Sequence, residues 1–102
     1  MPFLSTVFSC PGRDEFILLE NVAIEATTLG EAIEAAERIT DVRIVPHDPP
    51  KWFRVYAPSG DSPDYSLADI HIRRGGADIC AKQDLSYALL PSDIVLIGAL
   101  AC

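Results

Sequence analysis

The chain has 102 residues, of which 49% are hydrophobic and 23% charged, and its formal net charge is −7. This length and balance exclude a disordered or low-complexity protein and predict a single domain over residues 1–102. The acidic charge argues against direct binding to nucleic acid, because such binding uses basic groups to displace counterions from phosphates. With no apolar run near the roughly 20 residues of a membrane span and no signal-peptide pattern, we expect a cytoplasmic protein that does not bind a membrane.

The cysteines suit neither a disulfide framework nor a zinc site. Cys10, Cys80 and Cys102 are odd in number and form no Cys-x-x-Cys spacing. We therefore expect reduced thiols and no metal. The sequence also lacks a glycine-rich nucleotide loop, so no cofactor is predicted.

The first part of the chain predicts a β-hairpin followed by a helix. Residues 3–9 and 16–24 are rich in aromatic, aliphatic and β-branched side chains and flank the turn-forming stretch CPGRDE. From Leu29 onward the apolar residues recur with the period of a helix. They form one apolar stripe: Leu29, Ala32, Ile33, Ala36 and Ile39. Thr28 and Glu31 match a capping box, in which the threonine hydroxyl accepts from the Glu31 amide and the carboxylate accepts from the Thr28 amide.

Acidic residues concentrate in this part of the chain. Residues 1–41 hold eight acidic residues against two arginines. On the predicted helix, Glu31, Glu34 and Glu37 are expected to face water. Two interpretations stand for this acidic surface: an ordinary solvated helix face, or a mimic of nucleic acid phosphates that blocks a nucleic-acid-binding protein.

A candidate contact surface follows a short strand and a proline-rich connection at residues 46–50. Residues 52–57 alternate in character, which is typical of a half-buried strand. One face of this strand carries Trp52, Arg54 and Tyr56, and these residue types are enriched in interface hot spots. The face is therefore either a binding surface or a surface covered by another layer of the same domain.

A second hairpin is predicted around Gly75-Gly76, since a two-residue type I′ turn needs positive φ at both positions. Residues whose numbers sum to 151 then face each other, which places His71 opposite Cys80. Flanking opposite-charge pairs support this register, namely Asp69 with Lys82 and Arg73 with Asp78.

The predicted pair of His71 and Cys80 has two interpretations. An adjacent imidazolium lowers the pKa of a thiol and activates it as a nucleophile, with Asp69 or Asp78 as the third member of the site. The other interpretation is a half-exposed sheet face on which the two side chains pack across the ladder. Because no cleft or oxyanion-stabilising pair of amides is evident, we assign no catalytic residue and keep the thiol site as the alternative.

The final segment LLPSDIVLIGALAC, residues 89–102, resembles the closing strand of ubiquitin-like β-grasp proteins, in particular the small sulfur carriers of the ThiS/MoaD-like type. The resemblance covers residues 1–41 and 82–102. It implies a hairpin, a helix and a central last strand, on a scaffold commonly used to bind other proteins. The terminal Gly-Gly that those carriers adenylate is absent, and Ala101-Cys102 stand in its place.

Together these patterns predict an α+β fold: a mostly antiparallel, β-grasp-like sheet of five to seven strands packed on one main helix. The predicted core between the helix and the sheet consists of these apolar residues: Leu29, Ile33, Ala36, Ile39, Ile17, Leu19, Val22, Ile70, Ile72, Val95 and Ile97.

The leading functional hypothesis is a small acidic, non-enzymatic protein-binding module. It would be an adaptor, or an inhibitor that occludes a partner protein, for example in phage or host-defence machinery. The predicted binding residues are Trp52, Arg54, Tyr56, Glu31, Glu34 and Glu37. A Cys-His thiol enzyme or redox-responsive protein at Cys80 and His71 is the alternative, and a β-grasp carrier is the third. Because the C-terminal strand is apolar on both faces, a homodimer in which this strand pairs with a second copy is a further alternative.

Overall fold

The computed structural model describes residues 1–9, 16–47, 52–56, 65–81 and 83–99, with Ala99 described by its backbone. In chain order the elements are β1 (Phe3–Phe8), β2 (Ile17–Ala23), α1 (Leu29–Thr40), β3 (Arg43–Pro46), β4 (Phe53–Tyr56), β5 (Ser66–Arg74), β6 (Ala77–Ile79) and β7 (Ile94–Ala99). The predicted α+β class is confirmed, because these elements are a mostly antiparallel seven-stranded sheet and one helix. The predicted CPGRDE turn, most of the proline-rich connection and the predicted loop at 58–64 lie outside the described residues.

The last strand lies at the centre of the sheet, as its apolar sequence predicts. The strand order is β2-β1-β7-β5-β4-β3, and β6 pairs with β5. β7 runs parallel to β1 and antiparallel to β5, so that Leu4 and Ile72 both lie beside Val95. The other neighbouring strands are antiparallel. This topology is compatible with the β-grasp resemblance.

A β-bulge interrupts the predicted N-terminal hairpin. The register shifts between Leu4 and Thr6, and Asn21 on β2 takes a left-handed φ of 48°. Asparagine tolerates this conformation because its short side chain bonds locally. Here the Ser5 hydroxyl accepts from the Asn21 amide at 3.0 Å and donates to Asn21 Oδ1 at 3.2 Å. A bulge in an edge strand hinders the addition of a further strand.

The helix begins at the predicted N-cap. The Thr28 hydroxyl accepts from the Glu31 amide at 3.3 Å. The predicted return bond is displaced by one residue, because Glu31 Oε1 accepts from the Thr27 amide at 2.7 Å and from the Thr27 hydroxyl at 2.6 Å. These bonds from Thr27 lower the pKa of the Glu31 carboxyl. The carboxylate therefore fixes the residue before the cap.

The predicted burial of Ile39 is wrong, since this side chain is 46% exposed. At about 100° per residue, the eleventh residue after Leu29 returns to within about 20° of its direction, whereas the tenth lies about 80° away. Thr40 therefore occupies the buried position, and its hydroxyl donates to the Ala36 carbonyl. The buried helix residues are Leu29, Ala32, Ile33, Ala35, Ala36 and Thr40.

The helix covers one side of the sheet. The predicted core residues Ile70, Ile72, Val95 and Ile97 are buried there, whereas Ile17, Leu19 and Val22 are only partly buried. Alternate strand residues point to the side of the sheet opposite α1, which we call the open face. On that face lie Val7, Leu18, Arg54, Tyr56, Asp69, His71 and Leu96.

The segment before β7 completes the start of the helix. The amides of Leu29 and Gly30 donate to the carbonyls of Tyr87 at 2.9 Å and Leu85 at 2.8 Å. The Leu89 amide in turn donates to the Thr27 carbonyl at 3.0 Å. The first amides of a helix have no acceptor within the helix, and here the carbonyls of the segment before β7 supply the acceptors for Leu29 and Gly30.

A buried ion pair joins β5 to the turn before β7. The Asp93 side chain is 0% exposed and accepts from Arg74 Nε at 2.9 Å, from Arg74 Nη2 at 2.7 Å and from the Leu90 amide at 2.8 Å. Arg74 Nη2 also lies 3.3 Å from the Ala88 carbonyl. The hydrogen bond from Arg74, followed by that from the Leu90 amide, lowers the pKa of Asp93 against the opposing effect of burial.

The Gly75-Gly76 turn is confirmed, with φ values of 58° and 85°. A Cβ at Gly76 would meet no atom within 4 Å, so the cost of Gly76→Ala would come from the left-handed backbone alone. We expect this substitution to lower the free energy of unfolding by about 1–2 kcal/mol in chemical denaturation. Gly98→Ala is the control, because its Cβ also meets no atom within 4 Å and its φ is not left-handed. Equal losses in the two variants would contradict this explanation.

Replacing the buried carboxylate tests the ion pair. We expect Asp93→Asn to lower the free energy of unfolding at neutral pH by roughly 2 kcal/mol, less than for a fully buried pair because Arg74 is partly exposed. Because the folded state lowers the pKa of Asp93, its stabilisation is complete above the ordinary pKa of 3.8 and is lost as pH falls through the lower folded value. The variant should therefore lose less stability on acidification. Glu20→Gln, which removes an exposed carboxylate, is the control, and an acid profile of Asp93→Asn as steep as that of the wild type would contradict the assignment.

Candidate binding face

Strand β4 presents the predicted aromatic surface on the open face. Phe53 and Val55 are buried beneath α1, and the alternate residues Arg54 and Tyr56 are half-buried on the other side. Trp52 is also half-buried. The backbone around Trp52 is fixed, because its carbonyl accepts from the His47 amide at 3.0 Å and from Gln83 Nε2 at 2.9 Å. The predicted alternation is therefore confirmed for Arg54 and Tyr56, and Trp52 directly precedes the strand.

Two arginine–tyrosine contacts extend this surface. The guanidinium carbon of Arg43 lies 5.3 Å from the centre of the Tyr56 ring, its cross-strand neighbour. The guanidinium carbon of Arg54 lies 5.6 Å from the ring centre of Tyr65, which is 44% exposed. We call Arg43, Arg54, Tyr56 and Tyr65 the arginine–tyrosine cluster. Cation–π contacts of this kind hold a guanidinium in place against the ring.

Sequence reasoning missed half of this cluster. Tyr65 follows a predicted loop, and Arg43 lies at the start of a strand whose partner was not assigned. The β3–β4 register, which pairs Arg43 with Tyr56, would have shown the first contact. The second depends on β5 running beside β4, which local periodicity does not reveal.

Arg54 has an unsatisfied donor. Within the described residues, its Nε is buried and has no hydrogen-bond partner. In the sheet, Arg54 lies between Val45 on β3 and Leu67 on β5, and both neighbours are half-buried. Buried donors are normally paired, so this N–H lacks a bond that aliphatic neighbours cannot supply.

His71 lies between two carboxylates on the open face. Its Nδ1 is 3.4 Å from Asp69 Oδ2, and its Nε2 is 4.0 Å from Asp78 Oδ1. Arg73 Nε bonds the same Asp78 oxygen at 3.2 Å, which confirms the predicted pair across the hairpin. Within the described part of the chain, no group of three or more histidine, cysteine, aspartate or glutamate residues could hold a metal ion.

The predicted register of the second hairpin is confirmed, but the predicted pair of His71 and Cys80 is not part of the ladder. The β5–β6 ladder contains Ile72–Ile79, Arg73–Asp78 and Arg74–Ala77 and ends there. Cys80 lies beyond β6 and is exposed. β4 pairs with residues 66–68 along the same edge of β5, and the side-chain Nε2 of Gln83 donates to the His47 carbonyl at 2.6 Å.

The predicted helix glutamates are separate from the sheet residues. Glu31, Glu34 and Glu37 lie on α1, which covers the opposite side of the sheet from Arg54 and Tyr56. Glu34 is exposed as predicted. Glu37 is half-buried rather than solvated, because its Oε2 accepts from the Ile44 amide of β3 at 3.0 Å. The six predicted binding residues thus form two surfaces, which a single small contact would not cover.

A groove of about 500 Å³ lies beside the helix N-terminus. Its lining residues come from the N-terminus, the β2–α1 connection and the turn before β7: Met1, Pro2, Glu25, Ala26, Thr27, Glu31, Leu89, Leu90 and Pro91. The Glu31 carboxylate in this groove is already bonded twice by Thr27. The groove therefore offers an apolar wall and two acidic residues, Glu25 and the engaged Glu31.

The thiol hypothesis has a direct test. Because both ring nitrogens of His71 face carboxylates and Cys80 lies outside the ladder, we expect His71→Ala to leave the rate of Cys80 alkylation unchanged across neutral pH. The measurement uses a Cys10→Ser/Cys102→Ser background, so that one thiol reports. Much slower alkylation of Cys80 in the His71→Ala variant would restore the thiol site.

Comparison with protein-family models, with curated proteins and with solved structures finds no match for this chain. Within the described ranges, no helix has the length and apolar character needed to cross a membrane. The geometry of the open face is therefore the basis for inferring a function.

Proposed function

We propose that the chain is a non-enzymatic protein-binding module, an adaptor or an inhibitor that covers a surface of its partner, and that it binds through the open face. The observation that carries this proposal is the arginine–tyrosine cluster, together with the half-buried Trp52 two residues before Arg54. Tryptophan, tyrosine and arginine dominate measured binding energies at protein interfaces. On a folded chain of this size, their grouping on β3, on β4 and at the residue before β5 favours a contact surface.

The helix contributes less to this contact than its charge suggests. Glu31 holds Thr27 at the start of α1, and Glu37 holds the Ile44 amide of β3. A carboxylate already bonded within the chain would have to give up that bond to engage a partner. The open face is therefore the principal binding surface of the proposal.

The edges of the sheet favour recognition by side chains over strand addition. The edge strand β2 carries the bulge at Asn21, and the opposite edge strand β3 has four residues and ends with Pro46. Bulges, short strands and proline all protect a sheet edge against pairing with another chain. The proposed contact therefore lies across the strands. The parallel β1–β7 pair supports the further proposal that this scaffold is β-grasp-like.

Affinity capture with matched variants tests the proposal. We expect the tagged wild-type chain to retain a stoichiometric partner from a lysate of its source, and we expect Trp52→Ala/Tyr56→Ala to lose it because two aromatic anchors are removed. The control Glu34→Gln changes an exposed residue on the opposite side and should retain the partner. Mass spectrometry measures the retained protein, and circular dichroism confirms that each variant is folded. Equal retention by all three chains would overturn the proposed surface.

A further inference from the structure

We propose that the cleft between α1 and β3 binds a lysine or arginine side chain from a basic segment of a partner protein, and that Glu34 pairs with the charge of this side chain. The cleft lies on the helix side of the sheet, so the inference goes beyond the proposed function of the open face and does not depend on it. It follows from the size of the cleft, from its apolar floor and from the charges at its rim.

The first step concerns the size of this α1–β3 cleft. Its volume is about 170 Å³. Cavities that enclose a whole small-molecule ligand are larger, at roughly 300–1,000 Å³. The α1–β3 cleft therefore has room for one long side chain rather than for a drug-sized ligand.

The second step concerns the floor of the cleft. Ile33, Ile44 and Phe53 line it, and each is at most 4% exposed. Leu85 also lines the cleft and is 42% exposed, so it retains apolar surface that a bound group would remove from water. Lysine and arginine side chains match this lining, because their aliphatic stems pack on apolar surface while their charged ends stay in water.

The third step concerns the charges at the rim. Among the described residues that line the cleft, the charged ones are Glu34 and Glu37. Glu34 is exposed and, within the described residues, makes no hydrogen bond or ion pair, including with Arg38 one turn further along α1. Glu37 keeps its bond to the Ile44 amide at 3.0 Å and holds a second negative charge beside the first. With a net charge of −7, the chain also attracts a basic partner over a longer range.

A random peptide library displayed on phage tests the inference. The selection uses the Trp52→Ala/Tyr56→Ala chain, so that the proposed open-face contact does not compete. We expect the enriched peptides to contain lysine or arginine. A synthetic copy of the most enriched peptide should bind about threefold to fivefold more weakly when Glu34→Gln is added, as expected for loss of one exposed ion pair. The control is Glu20→Gln, which removes an exposed carboxylate from β2 and should leave binding unchanged.

Changes in the peptide separate insertion of a side chain from general attraction between charges. Norleucine in place of the selected lysine or arginine keeps an aliphatic stem and removes the charge, whereas diaminopropionic acid keeps the charge and shortens the stem. Because the cleft engages both the stem and the charge, both peptides should bind more weakly than the selected one. Isothermal titration calorimetry measures the three affinities.

Each contrary result has a defined meaning. Enriched peptides without lysine or arginine, or equal binding to the Glu34→Gln and Glu20→Gln chains, would overturn the inference. Undiminished binding of the diaminopropionic acid peptide would show attraction to the surface without insertion and would also overturn it. If no peptide is enriched, the inference fails. None of these results involves Trp52 or Tyr56, so the capture experiment still decides the proposed function by itself.

Discussion

The sheet is continuous because β7 bonds to β1 on one side and to β5 on the other. Asp93, directly before β7, is bonded to both neighbours. Its carbonyl accepts from the Phe3 amide at 2.9 Å, and its carboxylate holds Arg74 at the end of β5. One residue thus sets where the last strand starts relative to the first strand and to the second hairpin. The N-terminal hairpin and the β5–β4–β3 half of the sheet depend on this connection for their relative position.

The placement of charge follows from that sheet. With α1 on one side, strand alternation sends Phe53 and Val55 into the core and Arg54 and Tyr56 to the other side. The acidic residues of α1 are consequently separated from the arginine–tyrosine cluster by the thickness of the core. An uneven distribution of this kind orients an approaching charged partner more than it increases affinity. It also explains how a chain with an excess of acidic residues presents cationic groups on one surface.

The sequence predicted the features that depend on local period and turn chemistry, which include the Thr28 cap, the alternation of β4 and the Gly75-Gly76 turn. Its errors have physical reasons. An apolar residue at the tenth position after Leu29 resembles the stripe and makes Ile39 a predicted core residue, although the eleventh position, Thr40, is the one that faces the sheet. The β5–β6 ladder keeps the predicted register but ends at Ile72–Ile79, one pair before His71 and Cys80, and a local pattern does not show where a ladder ends. Contacts between distant residues, such as Arg74 with Asp93, depend on the topology itself.

The open face is suited to binding because much of it is already ordered. Backbone hydrogen bonds of the sheet hold β4, and Gln83 fixes the backbone carbonyls of His47 and Trp52. Tyrosine rings hold the guanidinium groups of Arg43 and Arg54, so these long side chains have less rotamer freedom left to lose when a partner binds. The helix carboxylates differ, since Glu31 and Glu37 are ordered by bonds within the chain. These two carboxylates therefore contribute to the stability of the fold, which leaves the open face as the proposed binding surface.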